Sequence, residues 1–267
     1  MQEPTLEERK DFIMTNSPQK EKTIKCNENS LAGAVSQRAC VYSGARVVLN
    51  PITDAYHIVH GPIGCSSYTW DIRGSLTTGA ETFRNSFSTD LREEDIIFGG
   101  EKKLFKSIEE IVDKYDPELI LVFATCVVGV IGDDLQGICK KAEKKFDIRV
   151  IPVESSGFSG NKVNGYRAAC TVLMEIMSEG KEKNTQSGIN ILGDYNLAGE
   201  IWILENYFRS TGIEVVSKFT GDSSYREIKR APQAKLNIVQ CAGSMGYLAK
   251  MMEKEYGIPY IKISFLV

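Results

Sequence analysis

From Glu101 to its last residues the chain switches repeatedly between two hydrophobic periods, and few folds accept that pattern. Leu104, Phe105, Ile108, Ile111 and Val112 recur at helical spacing, which predicts an amphipathic helix over Glu101 to Lys114, broken by Asp116 and Pro117. Leu119 to Ala124 is uninterrupted apolar sequence, as expected of a strand buried on both faces. A turn at Cys126, a helix from about Asp133 to Lys145, a strand Arg149 to Val153 and a helix over 162–179 follow. The polar stretch Lys181 to Ser187 reads as a linker. The rhythm then repeats, with strands at Ile189 to Leu192, Glu214 to Phe219, Leu236 to Gln240 and Tyr260 to Phe265. Between them lie helices at Leu197 to Ser210, Ser223 to Arg230 and Ser244 to Glu255.

Such alternation predicts an α/β protein with two Rossmann-like, doubly wound parallel-sheet domains. The expected division is an N-terminal arm over 1–34, a first domain over 35–185 and a second over 186–267. The second is expected to be partial, because Val267 follows a strand with no closing helix. The segment from Val35 to about Asp95 is rich in Gly, Ser, Thr and Asn and is punctuated by Pro51 and Pro62. It reads as loops and short helices, where function often concentrates.

Composition enters mainly through what it excludes. A net charge of -3 supplies no basic patch for nucleic acid or an anionic membrane. The longest apolar stretch, Leu119 to Ile131, is too short to cross a bilayer, and the charged N-terminus lacks the apolar core of a secretory signal. A cytoplasmic location is therefore expected, with a protein or a cofactor as the partner. Seven cysteines cannot all pair, and a large cytoplasmic protein has no need of disulfides, so thiols or metal ligands are expected.

Two of those cysteines stand out by position. Cys126 follows the strand LILVFAT and Cys241 follows LNIVQ, each just before a helix. Ligands of open α/β sheets bind outside the carboxyl ends of the strands. A free cysteine also serves as a small buried hydrophobe, and position alone leaves both readings open. Cys40 in RACVYSGA and Cys65 in HGPIGCSSY lie among glycines that let backbone amides approach sulfur, surroundings that suit an iron-sulfur cluster. Their spacing matches neither a ferredoxin run nor a zinc CxxC pair. His57 and His60 invite a zinc reading with Cys65, but nothing nearby completes a tetrahedral set. GxGxxG and GxxxxGKS/T are both absent, which removes the usual support for nucleotide binding. Asp133 and Asp134 are expected as helix caps.

The segments ACVYSGA, HIVHGPIGC, TCVVGVIGDD, GDYNLAGE and VQCAGSMGYLAKMMEKEYGIP together resemble the alpha-type proteins of the nitrogenase component 1 family, in the same order and across nearly the whole chain. The resemblance implies that Cys40, Cys65 and Cys126 bind a 4Fe-4S-type cluster at the interface with a homologous beta-type subunit. It implies that Cys241 holds the iron-molybdenum cofactor or its precursor. Arg73 matches an arginine lining the cofactor approach in the family, and Lys162 is a second cation for an anionic cluster, although either also suits a solvated surface. Within the family, Tyr166 stands where catalytic subunits carry a histidine, and VQCAGSM lacks their bulky basic residues. Both departures point to the scaffold on which the cofactor matures, fed by an ATP-hydrolysing iron-protein reductase and built as a heterotetramer. A catalytic alpha chain, a related reductase acting on tetrapyrroles, and a metal-free partner-binding fragment are the alternatives. Family members continue through a third domain, which is expected to be missing here.

Overall fold

The computed structural model describes residues 40–69, 76–78, 85–180 and 188–263. The expected arm, Arg73 and the linker Lys181 to Ser187 lie outside the described residues. Helix α1 (Val41–Leu49) leads to strand β1 (Ala55–His60), helix α2 (Ile63–Thr69), the short strand β2 (Ser86–Ser88) and helices α3 (Glu93–Phe98) and α4 (Glu101–Tyr115). Strand β3 (Leu119–Ala124), helices α5 (Cys126–Ile131) and α6 (Leu135–Phe146), strand β4 (Arg149–Val153) and helix α7 (Lys162–Ser178) complete the first half. The second half runs β5 (Gly188–Asp194), α8 (Glu200–Ser210), β6 (Glu214–Thr220), α9 (Tyr225–Arg230), β7 (Leu236–Val239), α10 (Ala242–Tyr256) and β8 (Tyr260–Lys262).

Two parallel four-stranded sheets result, ordered β2-β1-β3-β4 and β6-β5-β7-β8. In each, the first strand of the half lies inside the sheet and the next two flank it, so the order reverses between β1 and β3 and again between β5 and β7. Every residue of β3 and β5 is buried, which is why β3 reads as a continuous apolar run, while β5 buries Asn190 and Asp194 along with its apolar residues. One face of the first sheet packs Ile58, Ile120 and Val122 under Leu104 and Ile108 of α4 and Leu135 and Ile138 of α6. The other packs Val59, Leu121 and Phe123 against α1 and α7, in a core that continues to Leu192, Phe219, Leu248 and Met252 of the second half. Ser223 O accepts from Thr53 N at 2.8 Å, and Asp54 Oδ1 accepts from Tyr225 N at 2.7 Å, so the halves are also hydrogen bonded.

Helices α1 and α7 touch through glycines. A Cβ on Gly44 would lie 2.2 Å from Lys162 O, and one on Gly165 would lie 2.1 Å from Val41 O. Neither position has room for a side chain, and this contact fixes the loop before α7 against the start of α1.

The early segment departs from the reading as loops and short helices. It contains α1, buried along all nine residues, and β1, an interior strand of the sheet. Tyr56, His57 and His60 make AYHIVH look polar, yet His57 stacks on Phe123 with ring centroids 5.9 Å apart, and His60 is fully buried with hydrogen bonds at both nitrogens. The expected turn at Cys126 is the first residue of helix α5.

Candidate functional site

Ligands of parallel sheets gather where the strand order reverses, at the carboxyl ends of the two strands that part there. In the first sheet those ends are His60 and Ala124, and the loops they open carry Cys65 and Cys126. Cys65 lies in the first turn of α2 and Cys126 opens α5, while Cys40 is the N-cap of α1, its Sγ accepting from Ser43 N at 3.4 Å. All three cysteines therefore sit at helix starts, among backbone amides with no partner inside the helix.

The loop after β4 closes the group. Gly157 lies so near that a Cβ there would be 2.8 Å from Cys126 Sγ, 3.3 Å from Cys40 Cβ and 3.7 Å from Cys40 Sγ. Asn161, four residues on, forms an antiparallel bridge with Cys40. The thiols also sense one another: burial pushes the Cys65 pKa up, and the neighbouring Cys126 and Cys40 push it further in the same direction. Three thiolates crowded together repel, so a cationic iron centre between them is the natural complement.

Among the described residues no group of three or more His, Cys, Asp or Glu is arranged to hold one metal ion. A cluster of several irons spreads its thiolates wider than a single ion does, and the donor set fits that group. Three thiolates leave one position of a four-iron cluster open. Exposed apolar side chains stand on the elements that carry the thiols and the Gly157 loop: Ile63 at the start of α2, Val130 on α5 and Phe158 beside Gly157, the last two 76% and 62% exposed. An apolar rim around partly exposed ligands is a surface expected to be covered.

A polar network beneath positions the two strand-end loops. His60 O accepts from Thr125 Oγ1 at 2.9 Å, and His60 Nε2 lies 3.0 Å from Asp133 Oδ2. Asp133 also accepts from Gly100 N at 3.1 Å, so it ties α5 to α4 instead of capping α6. The cap of α6 is Asp134, accepting from Gly137 N at 2.9 Å. Burial pulls the His60 pKa down, opposed by Asp133. His57 leaves the strand on the opposite face, where its Nε2 lies 3.4 Å from Ile52 O, and the two histidines do not converge on Cys65.

The second sheet repeats the arrangement with one thiol. Cys241 follows β7 as the N-cap of α10, across from the end of β5. Gly193, with φ of 89°, makes the close approach possible, since a Cβ there would be 2.7 Å from Cys241 N. Asp194 beside it is buried, which pushes its pKa up to about 6 although its carboxylate accepts from Asn196 N at 2.8 Å. Lys162 opens α7 directly after Asn161, with its ammonium 5.7 Å from the ring centroid of Tyr166. Tyr166 packs with Tyr68 against Val47 and Tyr195, where the two halves meet. The remaining described cysteines, Cys139 and Cys170, are buried in the core, and burial pushes both pKa values up to about 12, as befits structural thiols.

A family model described as nitrogenase component 1 type oxidoreductase matches residues 40–267. The chain belongs to the nitrogenase component 1 family. Among nitrogenase component 1 relatives, it is 63% identical over 264 residues to the nitrogenase iron-molybdenum cofactor biosynthesis protein NifE of Clostridium pasteurianum, a match covering 97% of this chain and 58% of that protein. It is 54% identical to the NifE protein of Methanosarcina barkeri, covering 98% and 59%. The nitrogenase molybdenum-iron protein alpha chain of the same organism is 39% identical, covering 99% and 51%. The solved structure of nitrogenase Cp1 at pH 6.5 superposes with a TM-score of 0.84 at 39% identity, over 90% of this chain and 48% of that one. The matches span between half and three fifths of these three curated relatives.

Proposed function

We propose that this chain is the alpha-type part of a scaffold for assembly of the nitrogenase iron-molybdenum cofactor. In this reading Cys40, Cys65 and Cys126 bind an iron-sulfur cluster shared with a homologous beta-type subunit, and Cys241 carries a cofactor precursor. The observation that carries it is the gathering of three helix-start thiols, with Cys126 and Cys40 at Gly157 and Cys65 close enough to feel both, beside exposed apolar side chains, in a chain whose relatives include proteins named for cofactor biosynthesis. The two Methanosarcina barkeri proteins favour the scaffold over the catalytic alpha chain, at 54% against 39% identity.

The cluster, when bound, supplies one-electron transfer. The chain's own residues ligate it through thiolates, donate backbone amides to sulfur, and exclude water with Ile63, Val130 and Phe158 once the partner covers them. Cys241 offers a single thiolate, so a precursor held there keeps its other faces free for insertion of the heterometal and the organic acid. Arg73 and Lys162 draw that anionic precursor in. An ATP-hydrolysing iron-protein reductase supplies electrons to the assembled heterotetramer in the cytoplasm.

The test is iron and acid-labile sulfide per chain after anaerobic co-purification with a beta-type partner. Cys126→Ala loses the interface iron, whereas Cys241→Ala retains it and loses only the precursor. A partner-bound wild type without iron overturns the cluster. Reduction of dinitrogen by the reconstituted complex overturns the scaffold in favour of the catalytic subunit.

A further inference from the structure

Among the described residues, no carboxylate stands beside the charge on Arg46. This side chain of α1 is 1% exposed, with its guanidinium carbon 5.0 Å from the centroid of the Phe123 ring. Its Nη2 donates to Ser86 Oγ at 2.9 Å and its Nε to Thr69 Oγ1 at 3.4 Å, both neutral hydroxyls. Nη1 has no hydrogen-bond partner, and no carboxylate among the described residues pairs with the group. A buried ion of this kind is costly unless an opposite charge is near in the working state.

The surroundings say where that charge belongs. Helix α1 carries Cys40 at its start and Arg46 further along, and α2 carries both Cys65 and Thr69. Tyr42 Oη donates to Cys65 O at 3.1 Å and lies 2.7 Å from Thr69 Oγ1, the atom that also receives Arg46 Nε. A hydrogen-bonded path therefore runs from the guanidinium through Thr69 and Tyr42 to the backbone of Cys65. Tyr42, buried along this path, feels the field of Arg46 from one side and of the Cys65 and Cys40 thiols from the other. Charges separated by buried protein interact more strongly than charges separated by water.

We propose that Arg46 is the buried counter-charge of the cluster on Cys40, Cys65 and Cys126, and that it holds the cluster's reduction potential up; this rests on the cluster reading above. Reduction adds one electron, and hence one negative charge, to a centre already ligated by thiolates. A fixed cation nearby stabilises the reduced state more than the oxidised one. Arg46 is in this sense a positioning and tuning residue and touches no iron.

The experiment is a dithionite titration of the partner complex, followed by electron paramagnetic resonance, after iron analysis of each sample. Arg46→Gln removes the charge, and Arg46→Lys retains it. Asn50→Asp keeps the arginine but sets a carboxylate one hydroxyl away, since Asn50 Oδ1 accepts from Ser86 Oγ at 3.3 Å. The nearly isosteric Asn50→Asp decides the matter if Arg46→Gln does not fold. The expected result is a midpoint shifted to more negative potential in Arg46→Gln and Asn50→Asp, and an unshifted midpoint in Arg46→Lys. Unchanged midpoints in iron-loaded Gln and Asp variants overturn the counter-charge while leaving the cluster intact. An equal shift in Arg46→Lys assigns the effect to packing and overturns it too. A wild type without iron overturns the cluster reading and this inference together.

Discussion

Gly157→Ala separates the fold from the site. The added Cβ would stand 2.8 Å from Cys126 Sγ and 3.3 Å from Cys40 Cβ. Ordinary contacts between such atoms are about 3.5–4.0 Å, so the sulfur must retreat by roughly 1 Å. Cys126 is exposed, and its sulfur can swing into solvent at a rotamer cost of about 1 kcal/mol. For a chain of this size that lowers Tm by only about 2–4 °C. The site responds differently, because ligands must hold their positions to within about 0.5 Å. Iron per chain is therefore expected to fall sharply in a variant whose iron-free Tm is nearly that of the wild type. Gly44→Ala is the contrast: its Cβ would lie 2.2 Å from the backbone oxygen of Lys162, which cannot swing aside. Overpacking of that kind costs about 1–3 kcal/mol and lowers Tm in proportion. Thermal unfolding by circular dichroism and anaerobic iron analysis read both quantities. Full iron content in Gly157→Ala would refute the assignment of Gly157 to the floor of the cluster site.

Burial, with Arg46 adding to it, pulls the His57 pKa down from 6.5 to about 3, so below pH 6.5 the unfolded chain takes up a proton that the native state refuses. Stability is therefore full above about pH 6.5 and declines toward pH 3, at up to roughly 1.4 kcal/mol per pH unit from this group. His57→Gln flattens that slope in urea titrations between pH 7 and pH 5, and an unchanged slope counts against the buried neutral histidine. Alkylation of the iron-free native protein by iodoacetamide at pH 8 is expected to mark Cys126 and to spare Cys139 and Cys170, whose thiols burial holds near pKa 12. Peptide mass spectrometry reads the order, and early labelling of Cys139 would contradict it.

The sequence was most informative where one period dominates. Leu119–Ala124 was legible as a strand because a strand covered on both faces is apolar throughout, and the strand read at Arg149–Val153 forms as the sheet edge, with Arg149 and Pro152 half-buried. Strand β1 was hidden because its polar residues find their surroundings only in the fold: His60 bonds Thr89 and Asp133, and His57 stacks on Phe123. Asp133 and Asp134 were indistinguishable as caps, and only the hydrogen bonds from Gly100 N and with His60 turn the first inward. The cysteines were named by resemblance, whereas Gly157 carried no signal, since its importance arises from Cys40 and Cys126 arriving beside it. The isolation of Arg46 among the described residues is likewise a property of the folded core, for in the sequence it is one basic residue in a segment read as loops and short helices.

The two sheets put the difference between the candidate sites into physical terms. Their strand orders are the same, and Cys126 and Cys241 occupy equivalent places, each after the strand beyond the reversal and each at a helix start. What surrounds them differs. Around Cys126 stand two further thiols and an apolar rim, a donor set that encloses its ligand once a partner closes over it. Beside Cys241, at the end of β5, stand Asp194 and Asn196, polar residues hydrogen bonded to one another. A ligand anchored there by one thiolate exchanges more readily than one held by three, because releasing it breaks a single strong bond. Under the proposed function, permanence and exchange are thus divided between two copies of one topology, with the electron-transfer group in the first and the cargo in the second.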